Sequence, residues 1–214
     1  MARKTLAEKF KEYRLLIFNS SKPEILPSLE SYGMDKEHLT KGEELYNVVQ
    51  DLTEKQKLEQ QEESQAYDTF YESKEECENN LRKTQKIIKM ASRSDKNLQN
   101  RLKVNDSKER KIEEWIKQSI EFYNLVLNEQ SFLTSIAKYS LTPEKLTAQK
   151  TQLNSLKDLR NKAMSEKGQA QEATRLRNEK MEELEDYCYE LRTLATIALE
   201  DTPQLLEELG ILVR

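Results

Sequence analysis

Apolar and small residues return every three or four positions along two long stretches of this chain, Asp35 to Ser92 and Thr142 to Glu200. The recurrence keeps its phase through both stretches, and no proline occurs between residues 49 and 91 or between 156 and 198. A repeat of about 3.5 residues is typical of helices that pack along a seam. The pattern therefore predicts two very long helices, each roughly 85 Å long if unbroken.

Signals for the ends of these helices lie at matching places. Asp35 and Thr142 are suitable N-caps, and Pro143 suits a first helical position. The helices are expected to end near Ser92 and Glu200. Each is followed by a short apolar segment, near residues 98–104 and 205–211, which we expect to form a small helix that folds back over the end of the bundle.

A shorter helix is predicted before each long one. Residues 4–18 carry apolar side chains at helical spacing, namely Leu6, Phe10, Tyr13 and Ile17. Pro23 and Pro27 then fit the first turns of a short segment that ends near Gly33. The corresponding segment of the second half, 108–138, shows no interruption and is expected to be one helix.

The two halves of the chain resemble each other. A shift of 107 positions superposes identical residues, including Tyr32 on Tyr139, Leu39 on Leu146, Leu52 on Leu159 and Ala66 on Ala173. We interpret this as a tandem duplication, with a first helical repeat at 1–107 and a second at 108–214, the two packed as one elongated all-α bundle.

Charge occurs in blocks that change sign between the halves. Residues 43–78 contain twelve acidic and three basic residues, whereas 145–177 contain eight basic and three acidic. Residues 82–103 contain eight basic and one acidic, whereas 179–208 contain ten acidic and two basic. Because the shift of 107 places each acidic block beside a basic one, the blocks predict that the two long helices lie parallel.

An alternative breaks each long helix at its centre. Inward positions at 56–63 and 163–170 are polar or small, and Gly168 adds flexibility. Each repeat would then contain three helices and, with Trp115 early in its leading helix, would resemble spectrin-type repeats in length and helix count. The unbroken helix is favoured because the apolar phase crosses 56–63 unchanged and no turn-forming dipeptide occurs there.

Composition supports a helical protein without membrane spans. Charged residues make up 35% of the chain and hydrophobic residues 36%, with only four glycines and four prolines, which favours folded helices over disorder. The apolar runs are too short to cross a bilayer, so we expect a cytoplasmic protein. Cys77 and Cys188 lie on the seam and are expected to be buried free thiols, with a disulfide or redox role as the alternative.

No pattern of catalytic or ligand-binding residues stands out. His38 is the only histidine, it falls in the first turn of a helix, and it is expected to be a surface residue. Glycine-rich phosphate loops, Cys-x-x-Cys pairs and nucleophile elbows are missing from the sequence. We therefore expect a non-enzymatic protein with no catalytic residues, cofactor or metal: a helical scaffold or adaptor that binds a protein partner or associates with itself.

A basic stretch at 82–111 supplies the candidate partner-binding residues: Arg82, Lys83, Lys86, Lys89, Arg93, Lys96 and Arg101. Such a cluster suits phosphate contacts, so a nucleic-acid-associated protein is the alternative function. Two features favour the scaffold. Aromatic residues for base stacking are missing between 82 and 111, and parallel helices would pair the basic stretch with the acidic block at 179–208.

Overall fold

The computed structural model describes residues 4–212, in which helices predominate and no strand occurs. The prediction of an all-α fold is therefore confirmed. No helix among these residues is both long and apolar enough to cross a membrane. The helices are α1 (Leu6–Ser20), α2 (Leu26–Glu30), α3 (Lys36–Ala91), α4 (Lys96–Arg101), α5 (Ile112–Asn128), α6 (Gln130–Ile136), α7 (Pro143–Ala198) and α8 (Pro203–Glu208), with a 3₁₀ turn at Ala137–Tyr139.

The two long helices, α3 and α7, contain 56 residues each and run unbroken through 56–63 and 163–170. Their starts are capped as expected. The Asp35 carboxylate accepts a hydrogen bond from the backbone N–H of His38 at 2.9 Å, and the Thr142 hydroxyl accepts one from Lys145 at 3.3 Å. Unbroken helices are thus confirmed, and the three-helix, spectrin-type alternative is wrong.

The chain forms two compact units that each draw on both halves of the sequence. Unit 1 is the chain up to Gln60 together with the chain from Gln169 onward, and unit 2 is Gln61–Gly168. Each unit therefore contains the first part of one long helix and the last part of the other.

Unit 1 packs α1, α2 and α8 on its portions of α3 and α7. Its core includes six aliphatic side chains with no exposed surface: Leu16, Ile17, Leu39, Val49, Leu184 and Leu191. The Asn19 amide donates a hydrogen bond to the Glu208 carbonyl at 2.7 Å, and the Lys22 ammonium pairs with the Glu208 carboxylate at 2.7 Å. The short segment after α7 is thus a helix that folds back onto α1, as the sequence predicted.

Unit 2 packs α4, α5 and α6 on its portions of the long helices. Its fully or almost fully buried side chains include Ile88, Leu102, Tyr123, Val126, Ile136, Leu146 and Leu156. Two ion pairs connect the end of α4 to its neighbours: Arg101 contacts Glu129 at 3.0 Å, and Lys103 contacts Glu121 at 2.7 Å.

The expectation of one uninterrupted helix at 108–138 is wrong, because the helix breaks at Glu129. The backbone of Glu129 leaves the helical region, with φ −91° and ψ 74°, so α5 ends at Asn128 and α6 starts at Gln130. The break lets Phe132, Leu133 and Ile136 enter the core of unit 2. It also places the Glu129 carboxylate against Arg101.

The prediction that the long helices lie parallel is wrong in unit 2. The Thr84 hydroxyl donates a hydrogen bond to the Gln149 side-chain carbonyl at 3.0 Å, and the Asn80 amide donates to Gln152 at 3.3 Å. Residue numbers therefore fall along α3 as they rise along α7. Only antiparallel helices give this order.

The same order holds in unit 1. The Gln56 amide donates a hydrogen bond to the Thr174 hydroxyl at 3.0 Å, and the Tyr187 hydroxyl donates to the backbone carbonyl of His38 at 3.1 Å. Charge did not select the orientation, because no ion pair joins α3 to α7 among residues 4–212. Exposed pairs contribute about 1 kcal/mol at most, whereas burying one aliphatic side chain contributes about 1.5–3 kcal/mol.

Backbone geometry repeats along the chain at the offset seen in the sequence. From the start of α3 to the start of α7 is 107 positions, and the same interval separates α4 from α8. The four residues with positive φ also form two pairs at this interval: Gly33 with Ser140, and Lys103 with Gly210. The left-handed conformation favours glycine, yet Lys103 and Ser140 also adopt it, each 107 positions from a glycine that does.

Candidate binding surface

The basic surface of unit 2 consists of the seven predicted partner-binding residues, all exposed: Arg82, Lys83, Lys86, Lys89, Arg93, Lys96 and Arg101. Arg82, Lys86 and Lys89 follow the i, i+4, i+7 spacing that places side chains on one face of α3. Thr84 and Ile88, which point to the opposite side of the helix, are buried in the core of unit 2. The amphipathic pattern of α3 therefore keeps the cations in solvent.

Six of these seven cations have no carboxylate partner within the described part of the chain, residues 4–212. Arg101 is the exception, since its guanidinium donates two hydrogen bonds to Glu129, at 3.0 and 3.4 Å. The hydrogen bond and the charge of Glu129 raise the pKa of Arg101. The charge of Arg101 is thus compensated by Glu129, whereas the six cations from Arg82 to Lys96 have no such partner within residues 4–212.

The antiparallel arrangement explains why these cations are unpaired. In unit 2 the last turns of α3 lie beside the first turns of α7, since Thr84 contacts Gln149. Residues 143–162 of α7 contain five basic and two acidic residues, so they offer little negative charge. The expected pairing of the basic stretch with the acidic block at 179–208 does not occur, because that block belongs to unit 1.

A small cavity of about 140 Å³ lies beside the basic surface, among α3, α5 and the segment between α4 and α5. The Lys74 and Lys108 ammonium groups lie 5.9 and 5.3 Å from the centre of the Trp115 ring, close enough for cation–π attraction. Both also contact the Glu78 carboxylate, at 2.6 and 2.9 Å. Burial opposes the ionisation of Glu78, but the hydrogen bonds from Lys108 and Lys74 outweigh it and lower the pKa.

An aromatic pair lies on the same face of α3 as the basic surface. The rings of Tyr67 and Tyr71 stack with their centres 6.1 Å apart and their planes 25° apart, and Tyr71 is 58% exposed. Sequence reasoning missed this pair because it searched for aromatic residues only between 82 and 111. The spacings of four and seven positions that link Tyr67, Tyr71, Glu78 and Arg82 place them on one helix face and could have revealed the pair.

The groups that titrate beneath the basic surface are protonated at neutral pH. Tyr123 is almost fully buried, and burial raises its pKa to about 12, although the Thr84 hydroxyl opposes this shift. Burial likewise raises the pKa of the Cys77 thiol to about 11.

Cys77 and Cys188 are both free and buried, as predicted. His38 is exposed, also as predicted, with Nδ1 at 3.0 Å from the Asp35 carboxylate.

Comparison of this chain with protein-family models, curated proteins and solved structures finds no match. The class that its own fold defines is an all-α protein of two helical units that share two long antiparallel helices.

Proposed function

We propose that the protein is a non-enzymatic helical scaffold or adaptor that binds an acidic partner through the basic surface of unit 2. The observation that carries this proposal is the set of six exposed cations, Arg82 to Lys96, that lack a carboxylate partner within residues 4–212. Clustered cations raise the local concentration of an anionic partner and speed its association. A protein partner with an acidic surface is the first candidate.

The two units differ in charge, which suits an adaptor that binds chemically different partners. Unit 1 contains fifteen basic and twenty-two acidic residues, and unit 2 contains twenty basic and seventeen acidic. Unit 1 therefore repels the anions that unit 2 attracts. This difference supports separate binding roles for the two units.

We also propose that the protein arose by tandem duplication of a 107-residue unit. The support is the repetition of helix bounds and of positive-φ positions at an interval of 107 residues. In the duplicated chain each half contributes one portion of its long helix to each compact unit. After duplication, the basic surface became a property of unit 2 alone.

The second candidate function is association with a nucleic acid, and one observation favours it. The antiparallel helices place the basic stretch beside a basic portion of α7 rather than an acidic one. Phosphate groups can therefore approach without displacing an internal carboxylate. Tyr71 supplies the exposed aromatic ring that the sequence between 82 and 111 lacks.

The test compares two triple charge reversals in the full chain. Arg82→Glu, Lys86→Glu and Lys89→Glu alter the basic surface, whereas Lys36→Glu, Lys55→Glu and Lys57→Glu change three exposed lysines of unit 1 by the same total charge. Binding of a fluorescent poly-glutamate peptide and of a fluorescent oligonucleotide is measured by anisotropy at several salt concentrations. We expect the first triple variant to lose binding and the second to keep it. Equal loss in both variants would show that only net charge matters, and the proposed surface would be wrong.

A further inference from the structure

We propose that the face of α3 in unit 2 that carries Tyr67, Tyr71, Lys74, Arg82 and Lys89 binds a single-stranded nucleic acid. An unpaired base would stack on Tyr71, and phosphates would contact the cations that follow it along the helix. This inference rests on the nucleic-acid association given above as the second candidate function. It specifies that the nucleic acid is single-stranded and that Tyr71 is the aromatic residue on which a base stacks.

Helix geometry aligns these residues in one row. Positions 67, 71, 74, 78, 82, 85 and 89 follow intervals of three and four, which keeps them on one side of an α-helix. From Tyr67 to Lys89 the row extends roughly 33 Å at 1.5 Å per residue. The opposite side of the same segment is buried, with Cys77, Thr84 and Ile88 in the core of unit 2. Tyr71, Arg82 and Lys89 of the row are exposed, and Tyr67, Lys74, Glu78 and Gln85 are half-buried.

The aromatic end of the row is already ordered for stacking. Tyr67 is half-buried and its ring stacks on that of Tyr71, while Phe70 contacts Tyr71 with ring centres 5.2 Å apart. These neighbours restrict the Tyr71 side chain, yet it remains 58% exposed. A restricted, exposed ring loses little conformational entropy when a base stacks on it, and base–aromatic stacking contributes about 1–3 kcal/mol per base.

The cations of the row follow its aromatic end, beside which the exposed carboxylates of Asp68 and Glu75 lie at i−3 and i+4 from Tyr71. Glu78 is the one carboxylate among its seven positions, and Lys74 and Lys108 both pair with it. Arg82 and Lys89 have no carboxylate partner within residues 4–212, and Lys86 and Arg93 add charge beside them. A phosphate backbone along α3 would thus meet an uncompensated positive stripe that starts at Arg82, roughly 16 Å along the helix from Tyr71.

The aromatic ring favours a single strand over a duplex or an acidic protein. Bases in a duplex stack on one another and are not available to a side chain, whereas unpaired bases stack readily on exposed aromatic rings. An acidic protein would be attracted to the cations but has no base to place on Tyr71. Dependence of binding on Tyr71 therefore distinguishes a single strand from a duplex and from an acidic protein.

The experiment uses the full chain and three fluorescent probes: a 20-nucleotide single-stranded oligonucleotide, the corresponding duplex and a poly-glutamate peptide. The variant is Tyr71→Ala. Its matched control is Tyr189→Ala, which removes an exposed tyrosine of α7 in unit 1. Circular dichroism verifies that both variants are folded. Tyr71→Trp adds a direct measurement, because a base stacked on the new indole quenches its fluorescence.

We expect Tyr71→Ala to weaken single-strand binding by about 5- to 150-fold, because one stacked base contributes about 1–3 kcal/mol, with peptide binding unchanged. Tyr189→Ala should leave all affinities unchanged. Neutralising Arg82, Lys86 and Lys89 to glutamine should lower the slope of log K against log salt by about 2. Tyr71→Trp should show quenching with the single strand only.

Other results would overturn the inference and separate it from the proposed function. If duplex and single strand bind equally and Tyr71→Ala does not change binding, nucleic-acid association is supported and the proposed stacking on Tyr71 is wrong. Binding of the peptide without either nucleic acid would leave only the scaffold with an acidic protein partner. If none of the three probes binds, both the inference and the basic surface as a binding site are wrong.

Discussion

Gly42 of α3 lies directly against the ring of Tyr187 of α7 in unit 1. A β-carbon on Gly42 would overlap the outer edge of that ring, including its hydroxyl. The same hydroxyl donates a hydrogen bond to the backbone carbonyl of His38 at 3.1 Å. Glycine in the middle of a helix normally costs about 0.5–1 kcal/mol relative to alanine, and here it allows the two helices to approach.

Gly42→Ala is therefore expected to destabilise unit 1, although alanine is the better helix former. The new methyl group must displace the half-buried Tyr187 ring and break its hydrogen bond to His38, and overpacking of this kind costs about 1–3 kcal/mol. The control is Gly168→Ala, because a β-carbon there meets no atom within 4 Å. Urea denaturation should show lower stability for Gly42→Ala and a gain of about 0.5–1 kcal/mol for Gly168→Ala. A gain in both variants would contradict the close packing of Tyr187.

The buried hydrogen bond between Thr84 and Gln149 is expected to contribute to the stability of unit 2. Thr84→Val keeps the shape of the side chain but leaves the buried Gln149 carbonyl unpaired, at a cost of about 1–3 kcal/mol. Adding Gln149→Leu removes the unpaired group, so the double variant should be more stable than the sum of the single changes indicates. Thr151→Val at an exposed position serves as control and should change stability by less than about 0.5 kcal/mol. Strict additivity of Thr84→Val and Gln149→Leu would show that the two side chains do not interact.

The antiparallel order of the long helices can be measured within unit 2. Spin labels are placed at Asn80 and Gln152, which share a hydrogen bond, and in a second sample at Thr69 and Lys162, which line one groove. Both pairs should show short distances, since the axes of neighbouring helices lie about 8–10 Å apart. In a parallel arrangement the two pairs could not both be close, because their separations along the helices would differ by roughly 30 Å.

Stability is expected to fall at high pH because buried acids have raised pKa values. Burial raises the pKa of Cys77 from an ordinary 9.0 to about 11 and that of Cys188 to about 12. Above pH 9 the unfolded chain releases these protons while the folded chain retains them, so the free energy of unfolding decreases until the folded thiols also titrate. The free energy of unfolding, measured from pH 8 to 11, should decrease less steeply with pH for Cys188→Ala than for the unmodified chain. If the free energy of unfolding of Cys188→Ala falls with pH as steeply as that of the unmodified chain, the Cys188 thiol does not contribute to the pH dependence.

Much of the local structure followed from the sequence. The starts of α3 and α7 depend on caps that act within three residues, at Asp35 and Thr142, and their length depends on a periodic apolar stripe. The same local rules indicated helices near α4 and α8, and identical residues at a shift of 107 indicated the repeat interval. They did not indicate the break at Glu129, because the contacts made there, packing of α6 in the core and pairing of Glu129 with Arg101, join residues that are distant in sequence.

The residues of the basic surface were predicted from the sequence, but their lack of carboxylate partners was not. Whether Arg82 or Lys86 meets a carboxylate depends on which part of α7 lies beside α3. The aromatic row at Tyr67 and Tyr71 was overlooked because its link to Arg82 is a shared helix face rather than proximity in sequence.

The sequence by itself determined an all-α chain with two capped, unbroken 56-residue helices, because helix formation depends on interactions between residues at most four positions apart. Only the tertiary structure decided that these helices run antiparallel and that the chain divides into two units that draw on both halves. The apolar stripes of α3 and α7 are compatible with either direction, and exposed charges contribute too little to select one. Orientation follows from how buried side chains such as Val49, Leu153 and Leu184 fit together across distant parts of the chain.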